Sequence, residues 1–145
     1  MPKITSDQAF RAFLITELLR STGEKEFPMQ LASIFFWIAS HNGCRQEDVS
    51  KACSIAASTA SRNITWLGPR HRLEHRSGLR LVIRKQDPNN HRAWRLFLTP
   101  KGEQFVRLLE NQLNLPTSTL EKAVVSIKEQ ISHDSPDDQD DGSGV

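Results

Sequence analysis

At Gly68-Pro69 the rhythm of apolar residues changes, and at Thr99-Pro100 it changes back. Between these points Leu79-Arg80-Leu81-Val82-Ile83-Arg84 and Ala93-Trp94-Arg95-Leu96-Phe97-Leu98 read as strands, with Asp87-Pro88-Asn89-Asn90 as turn chemistry between them. A β-hairpin is therefore expected inside a chain whose other apolar residues recur at helical spacing. The expected fold class is mainly α with a small β-hairpin (α+β).

Four helices are expected ahead of the hairpin. Ser6 to Leu19 carries Phe10, Phe13, Leu14 and Leu18 on one stripe, with Ser6 as its cap. Pro28 to about Ser40 would bury Leu31, Phe35 and Ile38, since proline is tolerated where a helix opens. Arg45 to Cys53 turns Val49 and Cys53 inward, and Ala57 to Leu67 turns Ala60, Ile64 and Leu67 inward. Beyond the hairpin, Thr99 caps a fifth helix that opens at Pro100 and buries Phe105, Leu108 and Leu109. Thr119 to Ile131 reads as a sixth helix. Asp134 to the end has no apolar stripe and reads as an acidic, disordered tail, leaving 1–133 as the folded domain.

Charge is distributed unevenly. Residues 45–95 hold eleven Lys/Arg against four Asp/Glu, or +7, while the net charge of the whole chain is only +2. The last twelve residues hold five Asp and nothing basic. A localised excess of this kind suits a polyanion partner; a solvated basic surface is the alternative. The acidic tail reads either as a solubilising end or as a competitor of DNA phosphates for the basic stretch.

Two short helices followed by a hairpin give the order of a winged helix-turn-helix, with the helix-turn-helix at about 45–67 and the wing at about 79–98. The major groove of duplex DNA admits one helix that has an apolar face for the core and a polar face for the bases. Ala57, Ser58, Ser61, Arg62 and Thr65 fall on that polar face, and Arg62 can take a guanine with two hydrogen bonds. On the wing, Arg84, Lys85 and Arg92 flank the tip, with Arg95 and Arg80 further back, as suits phosphate contact or entry into the minor groove. Trp94 shares a strand face with Leu96 and Leu98 and is expected to pack. Cys44 and Cys53 are nine apart, without metal-ligand spacing, and no catalytic constellation is visible. No cofactor and no enzymatic activity are expected. A signal peptide and a membrane span are also missing from the pattern, so a cytoplasmic location is expected.

Gln46-Glu47-Asp48-Val49-Ser50, Ser58-Thr59-Ala60-Ser61-Arg62, and Asp87-Pro88-Asn89-Asn90-His91-Arg92 through Leu98-Thr99-Pro100-Lys101-Gly102 resemble the MarR family of bacterial transcriptional regulators. The resemblance covers roughly residues 10–131. It implies a homodimer joined by N- and C-terminal dimerisation helices, binding a pseudo-palindromic operator in double-stranded DNA, most often as a repressor. It places Ser58, Thr59, Ser61 and Arg62 on the recognition helix and Arg92 at the minor-groove wing arginine. Asn90 stands where the family has an Asp that pairs with an arginine and braces the tip, which leaves the rigidity of this wing open. The link 69–78 is longer than usual, either as a phosphate-binding loop or as a disordered insert. The short sixth helix and brief N-terminal segment point to a reduced or rearranged dimer interface. A small-molecule effector between the dimer helices and the winged lobe is a further expectation. A different class of function is a winged-helix protein-interaction module that modifies a transcription or replication complex without reading an operator.

Overall fold

The computed structural model describes residues 2–69 and 77–116. The expected sixth helix, the acidic tail and most of the 69–78 link lie outside the described residues. Among the described residues there are five helices, α1 (Asp7–Arg20), α2 (Met29–Ser40), α3 (Gln46–Ala52), α4 (Ala57–Leu67) and α5 (Pro100–Leu113). Three short strands, β1 (Cys44–Arg45), β2 (Val82–Asp87) and β3 (Asn90–Leu98), form one antiparallel sheet in the order β1-β3-β2. None of these helices is long and apolar enough to cross a membrane.

The described residues divide into two compact units, one within 27–108 and one formed by 2–26 with 109–116. In the larger unit the core is built where the apolar stripes converge. Leu31, Ile34, Phe35 and Ile38 of α2, Val49 of α3, Ala60, Ile64 and Leu67 of α4, and Leu81, Val82 and Leu96 of the sheet region are buried. Phe105 of α5 meets Phe35 edge-on at 5.5 Å. Burying each of the larger side chains stabilises the lobe by about 1.5–3 kcal/mol relative to exposure. Cys53 departs from its expected core position: it is the C-cap of α3 and only half-buried.

Short polar contacts define the ends of these elements. Asp48 accepts a hydrogen bond from the Arg45 amide at 3.0 Å, satisfying a donor at the start of α3. Ser54 then carries a φ of 53°, turning the chain between α3 and α4. Thr99 Oγ1 accepts from the Gly102 amide at 3.0 Å, the cap expected for α5. Gly102 is required at this place because a Cβ there would lie 2.1 Å from the Leu81 carbonyl oxygen.

The first strand of the hairpin starts later than the alternation suggests. Leu79, Arg80 and Leu81 donate their amides to the carbonyls of Trp66, Gly68 and Leu67, at 2.8, 3.0 and 2.8 Å. They complete the open end of α4 instead of joining the sheet, and Arg80 takes a φ of 59°. The ladder therefore begins at Val82, paired with Leu98, and continues to Gln86 opposite Trp94 before an irregularity at Asp87. The turn is also tighter than expected, with Asp87 paired to Asn90 across Pro88-Asn89. β1 escapes the sequence pattern because two residues are too few to show an alternation. Gly43, with a φ of 89°, leads the chain into it and donates to the Leu96 carbonyl at 2.7 Å.

In the smaller unit, Ser6 caps α1 by accepting from the Ala9 amide at 3.2 Å, as expected. Leu14, Leu18 and Leu19 are buried, whereas Phe13, expected on the inward stripe, is 41% exposed. Phe10 and Phe13 lie against each other with centroids 5.6 Å apart. Arg11 donates to the carbonyl oxygens of Leu113 and Leu115, so a guanidinium satisfies carbonyls at the end of α5.

Candidate nucleic-acid interface

α4 occupies the bounds expected for the recognition helix, Ala57 to Leu67. Its apolar stripe is consumed by the core, and its opposite side carries Ser58 and Arg62 exposed, with Thr59, Ser61 and Thr65 half-buried. Ala56, the N-cap of α4, makes no side-chain cap hydrogen bond. Asn63 donates to Gln30 of α2 at 3.0 Å, fixing the flank of α4 on the lobe.

The wing projects beside this helix. A groove of about 300 Å³ is lined by Arg45, Gln46 and Ser50 around α3, by Ala57 at the start of α4, and by Arg92 and Trp94 of β3. The start of α4 and the tip-proximal part of the β2–β3 hairpin thus flank one depression. Arg92 is exposed, and its backbone amide donates to Asn90 Oδ1 at 3.2 Å, shaping the tip. Trp94 is 41% exposed. This corrects the expectation that Trp94 packs: Leu96 on the same strand face is fully buried, but Trp94 lies nearer the tip, beyond the edge of the core.

Two of the expected wing cations are engaged inside the lobe. Arg84 turns toward α4 and donates to Thr65 Oγ1 at 2.8 Å, to the Ser61 carbonyl at 2.7 Å and to Ser61 Oγ at 3.2 Å. A further bond reaches Gln46 Oε1 at 3.1 Å. Burial pulls the Arg84 pKa below the ordinary guanidinium value. Thr65 meanwhile donates to the Ser61 carbonyl at 2.9 Å, so its hydroxyl is occupied in both directions.

Arg95 donates to Asp87 Oδ2 and to the Gly43 carbonyl, each at 3.0 Å. Asp87 is 1% exposed and also lies 3.7 Å from Arg45. The Asn89 amide bonded to it, followed by Arg95 and Arg45, holds its carboxyl below the usual range despite the opposing effect of burial. The wing is therefore braced by a carboxylate–arginine pair, with Asp87 rather than position 90 supplying the acid.

Lys85 follows Arg84 along the strand and so projects from the other face of the sheet, its ammonium 5.1 Å from the centre of the Phe97 ring. The exposed cations that remain around α4 and the wing tip include Arg62, Lys85 and Arg92. Sequence reasoning missed the roles of Gln46, Asp87 and Arg45. The spacing of Asp87 and Arg95 across a short turn was the available signal for one of them.

The cysteines are free thiols. The Cys44 pKa is pushed up to about 11 by burial and by the neighbouring Asp48 charge, and burial raises that of Cys53 as well. Neither has the depressed pKa of a reactive thiolate.

Comparison with solved structures places this arrangement. A crystal structure of MarR is similar over 90% of this chain and 81% of its own, at 17% identity and a TM-score of 0.50. A MarR transcriptional regulator from Methanosarcina mazei Go1 is similar over 91% and 81%, at 19% identity and a TM-score of 0.50. The F27L mutant of MepR from S. aureus, bound to an oligodeoxyribonucleotide, is similar over 90% and 99%, at 17% identity and a TM-score of 0.50. The fold is the MarR winged helix-turn-helix. No protein-family model matches the chain, and no curated protein matches it either. Within this fold α3 and α4 precede the β2–β3 hairpin, and α5 follows it.

Proposed function

We propose that this protein is a sequence-specific, double-stranded DNA-binding transcriptional regulator without enzymatic activity, acting as a homodimeric repressor. The observation that carries the reading is the single groove shared by the start of α4 and the wing residues Arg92 and Trp94. It sets a polar helix face and an arginine-bearing ribbon side by side, as simultaneous major- and minor-groove contact requires. The likeness of fold to MepR bound to an oligodeoxyribonucleotide supports the same reading.

Ser58, Thr59 and Arg62 are the base-reading candidates. Arg92 and Lys85 are candidates for phosphate or minor-groove contact. Ser61, Thr65, Arg84 and Arg95, considered with them on sequence, hold the interface in shape. A cytoplasmic location, a pseudo-palindromic operator and response to a small-molecule effector are further expectations of this reading.

Selection of bound sequences from a random duplex pool at about 150 mM salt tests it. Enrichment of an inverted repeat with half-sites about 34–36 Å apart is the expected result. Arg62→Ala should then relax specificity at one base pair in each half-site, by about 1–3 kcal/mol. Weak binding that selects no sequence and vanishes near that salt concentration would favour a protein-interaction module instead.

A further inference from the structure

The wing and the recognition helix are joined by one half-buried side chain. Arg84 leaves β2 and spends its guanidinium on Gln46 at the start of α3 and on Ser61 and Thr65 along α4, with four hydrogen bonds of 2.7 to 3.2 Å. Its α4 acceptors, the Ser61 carbonyl and Thr65 Oγ1, are 2.9 Å apart, and the planar fork bonds them and Gln46 Oε1 from three separate nitrogens, where an ammonium would have to serve all three from one. Arg84 looks on sequence like a DNA-binding cation, but all three of its nitrogens already have protein partners. No other side chain among the described hydrogen bonds links β2 to α4.

We propose that Arg84 is a positioning residue that sets the wing against the recognition helix, so that sequence discrimination by α4 depends on it although it touches no DNA. The inference rests on the DNA-binding reading and goes beyond it. A rigid coupling fixes the offset between a helix in the major groove and a ribbon tip at the neighbouring minor groove. Losing it lets the two engage DNA separately, which spares non-specific binding and erodes the preference for one site. A phosphate contact behaves differently, because its loss weakens every sequence alike and lowers the salt slope by about 0.9 per phosphate.

The test compares Arg84→Gln, Arg84→Lys and Thr65→Val in the full chain, using the enriched duplex and a scrambled duplex across a salt series. A positioning role predicts that Arg84→Gln and Arg84→Lys lose specific affinity alike, by about tenfold. Non-specific affinity and salt slope should stay close to the parent. Thr65→Val, which removes an acceptor without changing charge or volume much, should shift specificity in the same direction. The double variant Arg84→Gln/Thr65→Val should lose less than the two singles added together. Full rescue by Arg84→Lys, with a slope lowered by about one in Arg84→Gln, would overturn the proposal.

The same double-mutant cycle read by chemical denaturation separates the two claims. If no duplex is enriched but the cycle shows coupling, the DNA reading fails and the brace stands. Strict additivity of Arg84→Gln and Thr65→Val in stability removes the brace, whatever the DNA result.

Discussion

At the root of the wing, Arg84 and Arg95 are half-buried and bonded to α4, to the Gly43 carbonyl and to Asp87. At its tip, a few residues along the same hairpin, Arg92 is exposed on the rim of a groove shared with the start of α4. One residue type therefore serves two tasks within a single ribbon. Near the core the guanidinium satisfies carbonyls and hydroxyls of half-buried residues, and its planar fork ties elements together. At the tip it keeps its hydration and its charge available to a polyanion. The +7 carried by residues 45–95 is thus not a count of DNA contacts, because part of it holds the lobe in shape.

The sharpest way to break this contrast is to disturb the root while leaving every charge in place. Gly102→Ala should destabilise the larger unit by about 2–3 kcal/mol, because its Cβ would meet the backbone oxygen of Leu81 at the entry to β2. Chemical denaturation measures it; a change within about 0.5 kcal/mol would show that this root yields easily. A smaller loss, about 1–2 kcal/mol, is expected for Arg95→Ala, which removes the charged donor from the Gly43 carbonyl. Arg92→Ala should change stability by less than about 0.5 kcal/mol and instead lower the salt slope of DNA binding by about one. Equal stability losses for Arg95→Ala and Arg92→Ala would erase the distinction between root and tip.

Acid gives the finest probe. The Asp87 carboxyl has its pKa held below the ordinary 3.8, chiefly by the Asn89 amide and then by Arg95 and Arg45. Its contribution is fully present above that ordinary value and disappears as the pH falls through the lower, folded-state pKa. Stability of the parent should therefore decline on acidification more steeply than that of Asp87→Asn. Parallel curves would remove Asp87 from the brace.

The positions of α2, α4 and α5 were legible because each carries a helical apolar stripe, and α2 and α5 add a signal at the N-terminal end. Pro28 precedes α2, Ala60, Ile64 and Leu67 mark one face of α4, and Thr99-Pro100 opens α5. The hairpin was legible through Asp87-Pro88-Asn89-Asn90, although its first strand was read three residues early. Leu79 to Leu81 alternate like a strand, but their amides are claimed by carbonyls at the end of α4. Trp94 was placed correctly on its strand face; its exposure follows from where the core stops, which period-two alternation does not encode.

Among the candidate site residues, local pattern identified the helix face holding Ser58 and Arg62 and the exposed arginine at 92. It could not separate Arg84 from Arg92, since both are arginines on one amphipathic ribbon. Periodicity depends on neighbours within a few positions, so it reports element type and facing direction. The partners of a long cationic side chain are set by groups brought near it in space: Ser61 is twenty-three residues from Arg84, and Gly43 is fifty-two from Arg95. Whether such a side chain meets protein or solvent is settled only when helix and sheet pack together and exclude water from one end of the ribbon.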